Sequence, residues 1–424
     1  MKIWNGQVGD RISKTLYHHL PAFRWRNFRL FFGGQLLSMS GTFMTQQLTI
    51  PWLVVYDLTK SAWLLGVAGF VQFLPTLLLI PFSGVLSDRW SRRDLLMVVQ
   101  ILGISVSLTL TILTFQNWIT FPILLVLSVL NGLLKGLDMP VRHTIVTETV
   151  GDRADWSNAI ALNSVMLSSS LVLGPAMGGI LIATLGVKYC FLYDTLSYIP
   201  AIFTLLAMRL KVRPMLTLTN LSDTLQKLRE GFEYVSKFQP IKAILLILAL
   251  QGLVGMSHIA LMPIFAAKIL NGDATTMAHL STSAPIGSLF ACLYLSIRRG
   301  IAGLERLIVV SQVLIGMSLI SFSLSRQVWL SIVILVFTGC FTILMITSSN
   351  MIIQTLVAED KRGRVMSFYA LAMVGMMPFG NLLAGTLAHN FGATNALIVC
   401  GSLSMLGALW FSTQLPAVSR WIDR

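Results

Sequence analysis

The sequence predicts an all-α integral membrane protein with twelve transmembrane helices in two pseudo-symmetric lobes of six. Three observations support this prediction. Hydrophobic residues make up 55% of the 424 positions and charged residues only 11%, whereas a soluble domain carries about 25% charged residues. Apolar runs long enough to cross a bilayer follow one another along the chain. Finally, short sequence elements of the first half return in the second half.

The twelve apolar runs are separated by short polar segments, and each is long enough for a membrane-crossing helix. In order, they cover residues 28–56, 63–87, 95–115, 118–141, 156–185, 189–208, 241–268, 276–297, 307–324, 328–354, 365–389 and 394–415. The predicted organisation is an N-terminal segment 1–27, a six-helix lobe 28–210, a linker 211–240, a second six-helix lobe 241–415 and a tail 416–424. An even number of crossings places both termini on one side.

The distribution of basic residues predicts which side this is. Of the 31 lysines and arginines, 26 fall in the segments that lie on the same side as the termini. Basic residues accumulate on the cytoplasmic side of membrane proteins, so both termini are predicted to be cytoplasmic. The net charge of +14 therefore indicates orientation in the lipid bilayer, and no nucleic-acid partner is predicted.

The linker and the repeats add to this organisation. An amphipathic stretch at 221–238 predicts either a helix on the cytoplasmic membrane surface or a solvated linker helix. Residues 144–148 (Thr-Ile-Val-Thr-Glu) recur as 355–359 (Thr-Leu-Val-Ala-Glu), 211 positions later. The dipeptide Leu185-Gly186 matches Phe391-Gly392, 206 positions later. Parallel repeats of six spans indicate a two-lobed transporter that rocks about a central site.

The loop after the second span reads Gly-Val-Leu-Ser-Asp-Arg-Trp-Ser-Arg-Arg from position 84. It resembles the signature G-x-L-[AS]-D-R-x-G-R-R of the major facilitator superfamily, with Ser91 in place of a glycine. The resemblance implies the two-lobed fold of that superfamily, with a loop that locks the lobes while the cavity faces outward. We expect Asp88 to cap another helix, with the eleventh span as the preferred candidate. We expect the arginines to pair with carboxylates at the cytoplasmic ends of neighbouring spans, with Asp138 as the best candidate. The predicted gating residues are Gly84, Asp88, Arg89, Arg92, Arg93, Asp138 and Arg142.

The fifth span contains a second motif. Gly174-Pro175-Ala-Met-Gly178-Gly179 resembles the G-P-x-x-G-G motif of proton-coupled exporters in the superfamily. Proline permits a kink and glycine permits close helix contacts, although a generic small-residue packing face has a similar composition. The stretches 53–66, 73–75, 158–163 and 363–367, with Gly132 and 140–142, resemble the branch of enterobactin exporters and macrolide efflux proteins.

The resemblance implies a secondary transporter of a bacterial inner membrane that exports a small amphipathic molecule. It also implies protons as the coupling ion, no other cofactor and a monomer. A siderophore is the expected substrate. The alternatives are a macrolide or multidrug efflux pump, a lysolipid flippase or importer with the same fold, and a membrane sensor that transports nothing. The sequence has no phosphate-binding G-x-x-x-x-G-K-[ST] motif, no H-E-x-x-H and no G-x-S-x-G, so neither ATP-driven transport nor an enzyme is predicted.

Charged residues inside the spans are functional candidates, because a charge at the bilayer centre costs at least about 2.5 kcal/mol. Lys135, Asp138 and Arg142 share one helix face at the fourth span. They form a gating network, an anion-attracting wall or a structural ion pair. Asp194 in the sixth span is either a proton carrier or an interfacial residue bonded to the backbone or a tyrosine. No arginine is predicted within the fourth span, where many drug pumps of the superfamily carry one.

A polar stripe follows one face of the first span. Its members recur at spacings of 3, 4, 4 and 3, and they are Gln35, Ser38, Thr42, Gln46 and Thr49. We interpret the stripe as lining of the cavity, with interhelical hydrogen bonding as the alternative. The other predicted cavity residues are Lys135, Asn163, Gln251, His258, Thr347, Asn350 and Tyr369. His258 is a further candidate for proton coupling beside Asp138 and Asp194, although a lone histidine is more often structural.

Overall fold

The computed structural model describes residues 20–89, 91–209, 221–298 and 300–422. Within these ranges, the side chains of residues 80–89, 139, 140, 143, 221–228, 359, 360 and 422 lie outside the description. The described residues form helices and no strands, so the all-α prediction is confirmed for this part of the chain.

Six long helices form the first half. Helix α1 begins as Arg26–Met44 and continues through Thr45–Thr49, Ile50–Leu53 and Val54–Leu58. It is followed by α2 (Ala62–Arg89), α3 (Arg92–Phe115), α4 (Phe121–Glu148), α5 (Trp156–Thr184) and α6 (Val187–Ala207). Helix α3 starts at a capped turn, because the Ser91 hydroxyl accepts a hydrogen bond from the backbone N–H of Asp94.

The second half begins after the linker helix α7 (Leu221–Lys237). Its six helices are α8 (Gln239–Ile269), α9 (Ala274–Ile297), α10 (Leu304–Leu324), α11 (Val328–Leu356), α12 (Glu359–Val374 and Met377–Phe391) and α13 (Ala393–Ile422). The first helix of each half contains two wider π turns, Thr45–Thr49 and Val54–Leu58 in α1, Gln251–Gly255 and Phe265–Ile269 in α8. Such turns often occur at functional sites in helices.

Eleven helices in the described ranges are long and apolar enough to cross a membrane. Helix α1 has the length but is not one of the eleven, because its polar residues, with Gln35, Gln46 and Gln47 among them, lower its mean hydropathy. All twelve predicted spans are helical. The weakest of them by hydropathy is therefore the one that carries the polar stripe.

The two halves repeat the same helix pairings. Helix α1 packs on α5 and α6, as α8 packs on α12 and α13, and the pair α2–α4 corresponds to α9–α11. The pair α3–α6 likewise corresponds to α10–α13. The repeated dipeptides have a structural reason, since Gly186 and Gly392 have φ of 98° and 85° and start α6 and α13. Such left-handed backbone conformations favour glycine.

The halves meet mainly at one end of the bundle, which we call the outer end because the basic residues predict that it faces away from the cytoplasm. There, α2 packs against α12 and α5 packs against α9. One apolar cluster joins both halves at this end, with Trp52, Leu65, Phe265 and Leu397 among its members. Toward the cytoplasmic end, each half has its own apolar cluster. The cluster of the first half lies around Phe31 and Ile145, and the second half has a separate cluster.

The linker helix α7 packs against the second half. Gly231 lies against Phe368 of α12, and Arg364 of α12 pairs with Glu230 at 2.6 Å. The predicted apolar face of α7 included Leu221, Leu225 and Leu228, whose side chains lie outside the described residues, and Phe232, which is 64% exposed. The packed side carries Gly231 and Val235 instead, so α7 is attached to the cytoplasmic end of α12.

Candidate functional site

The outer closure depends on small residues. Gly66 of α2 lies against Gly385 of α12, at a separation that leaves no room for a side chain. Gly179 of α5 lies in the same way against Ala278 of α9. Two hydrogen bonds join the halves beside these contacts, from the Tyr56 hydroxyl to the carbonyl of Gly272 at 3.0 Å and from Lys268 to the carbonyl of Lys60 at 3.1 Å. The halves are therefore held together at the outer end by backbone-close packing.

The exporter motif of α5 provides part of this closure. Gly174 and Gly178 pack against α1, where an added Cβ on Gly174 would lie 2.7 Å from the carbonyl oxygen of Ser40. Pro175 is buried within the helix. Gly179 points to the other half, so the four residues connect α5 to α1 on one side and to α9 on the other. The structure thus shows the small-residue packing that was the alternative interpretation of this motif.

The loop motif is described only in part. Gly84, Asp88 and Arg89 lie in α2, and their side chains lie outside the described residues. Arg92 pairs with Glu148 at the end of α4 at 2.6 Å. Arg93 donates hydrogen bonds to the carbonyls of Leu205 and Leu206 at the end of α6, at 2.9 and 3.0 Å. Both arginines therefore bind within the first half.

Arg92 does pair with a carboxylate at the end of a neighbouring span, as expected, but the partner is Glu148 and not Asp138. Asp138 precedes Glu148 by ten residues, about 15 Å along α4, so it lies too deep for the start of α3. Its partner is Arg142, which donates to both carboxylate oxygens at 2.8 and 2.6 Å.

Arg142 also corrects the predicted end of the fourth span. Helix α4 continues to Glu148, and Arg142 is only 8% exposed within it. The span therefore does contain a buried arginine, contrary to the prediction. Besides Asp138, the Arg142 guanidinium donates to the side-chain oxygen of Gln35 in α1. Gln100 of α3 donates to the same oxygen at 3.4 Å, so three helices share this polar network.

Replacing Arg142 by methionine is expected to destabilise the protein, because the half-buried Asp138 carboxylate loses its charged partner. Removing one member of a fully buried ion pair costs about 3–5 kcal/mol, and the partial exposure of Asp138 lowers that cost. Thermal unfolding in detergent should therefore show a clearly lower Tm for Arg142→Met. The double variant Asp138→Asn with Arg142→Gln is the matched control, since it removes both charges and should recover most of the loss. An unchanged Tm for the single variant would contradict the network.

Lys135 lies one to two turns farther toward the outer end of α4. Its ammonium donates a hydrogen bond to the side-chain oxygen of Gln46 in α1 at 2.7 Å. It also lies over the rings of Phe43 and Phe73, at 5.6 and 5.3 Å from their centroids. Helices α1 and α4 do not pack closely, so Lys135 and Arg142 span the space between them.

Asp194 belongs to α6, and its side chain faces α1 and α3. It is 4% exposed, and the Ser107 hydroxyl donates to its Oδ2 at 3.0 Å. The Thr45 hydroxyl of the first π turn lies beside the same carboxyl. No cationic side chain forms an ion pair with Asp194 in the described part of the chain. The surroundings are hydroxyl groups, so the carboxyl is deep within protein and without a compensating charge.

The polar stripe of α1 faces neighbouring helices and does not form an open wall. Gln35 is fully buried, Ser38 donates to Gln100 at 3.2 Å, and the Thr42 hydroxyl bonds to that of Tyr198 at 3.2 Å. Ser38 and Thr42 therefore make the interhelical bonds of the alternative, and the lining of a cavity stays a prediction. Gln35 and Gln46 reach the space between α1 and α4, where they accept hydrogen bonds from Arg142 and Lys135.

Three predicted cavity residues, Asn163, Gln251 and His258, are buried. Two of them have polar atoms without a partner, and His258 bonds only to a nearby backbone carbonyl. Both polar atoms of the Gln251 side chain lack partners within the described structure, as does Oδ1 of Asn163. His258 is 3% exposed and bonds to the carbonyl of Gly255 at 3.2 Å. Gln251 and Gly255 belong to the π turn of α8, so the irregular backbone and the unpaired groups coincide.

The remaining predicted cavity residues lie on α11 and α12 and are partly accessible. Thr347 and Asn350 are half-buried, and Gln354 donates to Asn350 at 2.5 Å. The Tyr369 hydroxyl donates to the carbonyl of Ile346 at 3.3 Å. These side chains form a neutral polar patch in the second half.

Sequence reasoning missed the contribution of the third span. Gln100, Ser107 and Thr111 of α3 bond to the network residues of α1 and α6. Their spacings of seven and four place them on one helix face in an otherwise apolar span. That periodicity was the available signal.

The family model described as transmembrane secretion effector matches residues 18–421. A staphyloferrin A transporter of Staphylococcus aureus is 22% identical over 88% of this chain and 92% of its own length. Macrolide efflux protein A of Streptococcus pyogenes is 22% identical over 90% of this chain and 95% of its own length.

Among solved structures, a bacterial homologue of the human lysosomal transporter Spinster, in an inward-facing and unoccupied conformation, superposes with a TM-score of 0.71. The two sequences are 13% identical, and the superposition covers 94% of this chain and 97% of the other. At this identity the match establishes the fold.

Proposed function

Since the chain belongs to the transmembrane secretion effector family of the major facilitator superfamily, we propose that it exports a small amphipathic molecule from the cytoplasm by alternating access. The observation that carries the proposal is the outer closure. The halves join at the outer end through Gly66–Gly385 and Gly179–Ala278, whereas their cytoplasmic clusters are separate. A substrate then enters from the cytoplasm, and rocking of the halves releases it outside.

A siderophore is the proposed substrate, and the staphyloferrin A transporter of Staphylococcus aureus supports this choice. The macrolide efflux protein of Streptococcus pyogenes supports the second candidate, a drug efflux pump. Both relatives cover nearly the whole chain at equal identity. Export of an amphipathic compound is common to both candidates.

Protons are proposed to drive export, with Asp194 as the residue that binds them. The carboxyl is buried, has hydroxyl groups as its polar neighbours and lacks a cationic partner among the described side chains. An ionised carboxylate in such surroundings is costly, so proton binding and release at Asp194 changes the stability of its surroundings. Since Asp194 packs against Gly41 of α1, the proton can bias the position of α1.

The experiment that tests export compares metabolites in cells and medium with and without the gene, under iron limitation and in rich medium. We expect one iron-binding compound to disappear from the medium and accumulate in the cells when the gene is absent. Unchanged metabolites with altered macrolide tolerance would replace the siderophore by the drug-pump candidate. Accumulation only in the medium of deletion cells would indicate import and contradict the proposed direction.

The gating role carried by the loop motif gives a separate prediction. Asp88→Asn removes the charge that the superfamily signature places in this loop, and uptake into inverted vesicles is expected to fall several-fold. Asp94→Asn is the matched control, because Asp94 lies near the same loop and its carboxylate accepts a hydrogen bond from the exposed hydroxyl of Ser91. Undiminished uptake by Asp88→Asn vesicles would count against the gating role.

A further inference from the structure

Four charged side chains lie in the interior of the described spans, and three are accounted for. Asp138 and Arg142 neutralise each other, and Asp194 of α6 faces α1 and α3. Lys135 is the fourth. No carboxylate lies within 4.0 Å of its ammonium in the described part of the chain, and Lys135, Asp138 and Arg142 together bring one net positive charge to the space between α1 and α4.

The surroundings of Lys135 hold the ammonium but do not satisfy it. Of its three N–H groups, one donates to Gln46 at 2.7 Å. The rings of Phe43 and Phe73 attract the cation at 5.6 and 5.3 Å. The residue is half-buried. Two N–H groups thus remain for a ligand, next to two aromatic surfaces.

The lysine is specific to the first half. The repeat offset of 211 places Ile346 of α11 at the position of Lys135 in α4. Near Ile346, the accessible polar groups are neutral, namely those of Thr347, Asn350 and Tyr369.

We propose that Lys135 binds an acidic group of the exported molecule, and that the substrate is an organic anion with a planar or otherwise apolar part. The acidic group forms a charge-assisted hydrogen bond to the ammonium, and the apolar part packs on Phe43 and Phe73. The neutral polar patch of α11 and α12 contacts its other polar groups. This inference rests on the proposed export function and deepens it by naming the substrate class.

The test measures binding of a matched pair of probes, 1-naphthoate and its neutral amide 1-naphthamide, to the full-length protein in phosphatidylcholine nanodiscs by calorimetry. We expect the wild-type protein to bind naphthoate about tenfold more tightly than naphthamide, as one charge-assisted hydrogen bond predicts. Lys135→Gln should remove this preference, and Lys135→Arg should retain most of it. Thermal unfolding checks that each variant is folded.

Lys188→Gln is the matched control. Lys188 lies over Phe115 and Tyr189 at 5.2 and 5.5 Å, but at the exposed outer end of the first half. Its replacement should leave the preference unchanged. Equal binding of both probes by the wild-type protein, or a preference that survives in folded Lys135→Gln, would overturn the anion site. Neither result touches export, which the metabolite comparison tests separately and which can fail while the naphthoate preference remains.

Discussion

Asp194→Asn is expected to abolish export driven by a pH gradient, lowering it by more than tenfold. Asparagine fills the same volume and keeps a hydrogen bond with Ser107, but it cannot bind and release a proton. Exchange of labelled for unlabelled substrate across the membrane needs no net proton movement, so it should continue. Both rates are measured in proteoliposomes with the compound that the metabolite comparison identifies.

Two further variants separate the proton from the fold. Asp194→Glu keeps a titratable group and should retain part of the gradient-driven rate. Ser107→Ala removes the hydrogen bond to Oδ2 but leaves the carboxyl, so coupling should persist. Full gradient-driven export by Asp194→Asn would assign coupling to another residue. His258 and Asp138, the other candidates, would then be tested in the same assay.

Gly179→Leu is expected to reduce export at least tenfold by preventing the outer closure. An added side chain would collide with Ala278 of α9, so the halves are pushed apart at the outer end. The packing of α5 on α1 through Gly174 and Gly178 is not altered, and the protein should therefore still fold. A cysteine at Thr275 should become more reactive with a membrane-impermeant maleimide added from outside.

Gly33→Leu is the matched control for Gly179→Leu. Gly33 lies in α1, and a Cβ added there meets no atom within 4 Å. The same substitution at this position should leave export and maleimide labelling close to wild type. Normal export by Gly179→Leu would mean that the outer contact can open without loss of transport, which contradicts its role as a gate.

The fold could be read from the sequence because hydropathy and repeats act over long stretches. Twenty apolar residues admit little besides a spanning helix, and the Leu185-Gly186 and Phe391-Gly392 dipeptides marked turns that need a positive φ. The end of the fourth span was misplaced at Val141, because Arg142 looked like a loop residue. Its charge is tolerated inside the bundle only because Asp138 and Gln35 lie beside it, and only one of these is near in sequence.

The site was less predictable, because the polar periodicity of one helix does not show which other helices pack against it. The polar stripe of α1 has the periodicity of a face, yet periodicity does not say whether that face meets a cavity or another helix. In the structure, Gln100 of α3 bonds to Ser38 of the stripe, and Ser107 of α3 bonds to Asp194. The sequence identified Lys135 as a charged residue inside a span, but its aromatic neighbours could be identified only from the structure.

The most direct test of alternating access is the distance between spin labels across each end of the bundle, measured by double electron–electron resonance in nanodiscs. Labels at Thr184 and Asn271 report on the outer end, and labels at Ser157 and Ser296 report on the cytoplasmic end; all four positions are exposed. We predict a short outer and a long cytoplasmic distance at one pH, and the reverse change in both when the pH is shifted. Distances that stay fixed under every pH and substrate condition would contradict a rocking exporter.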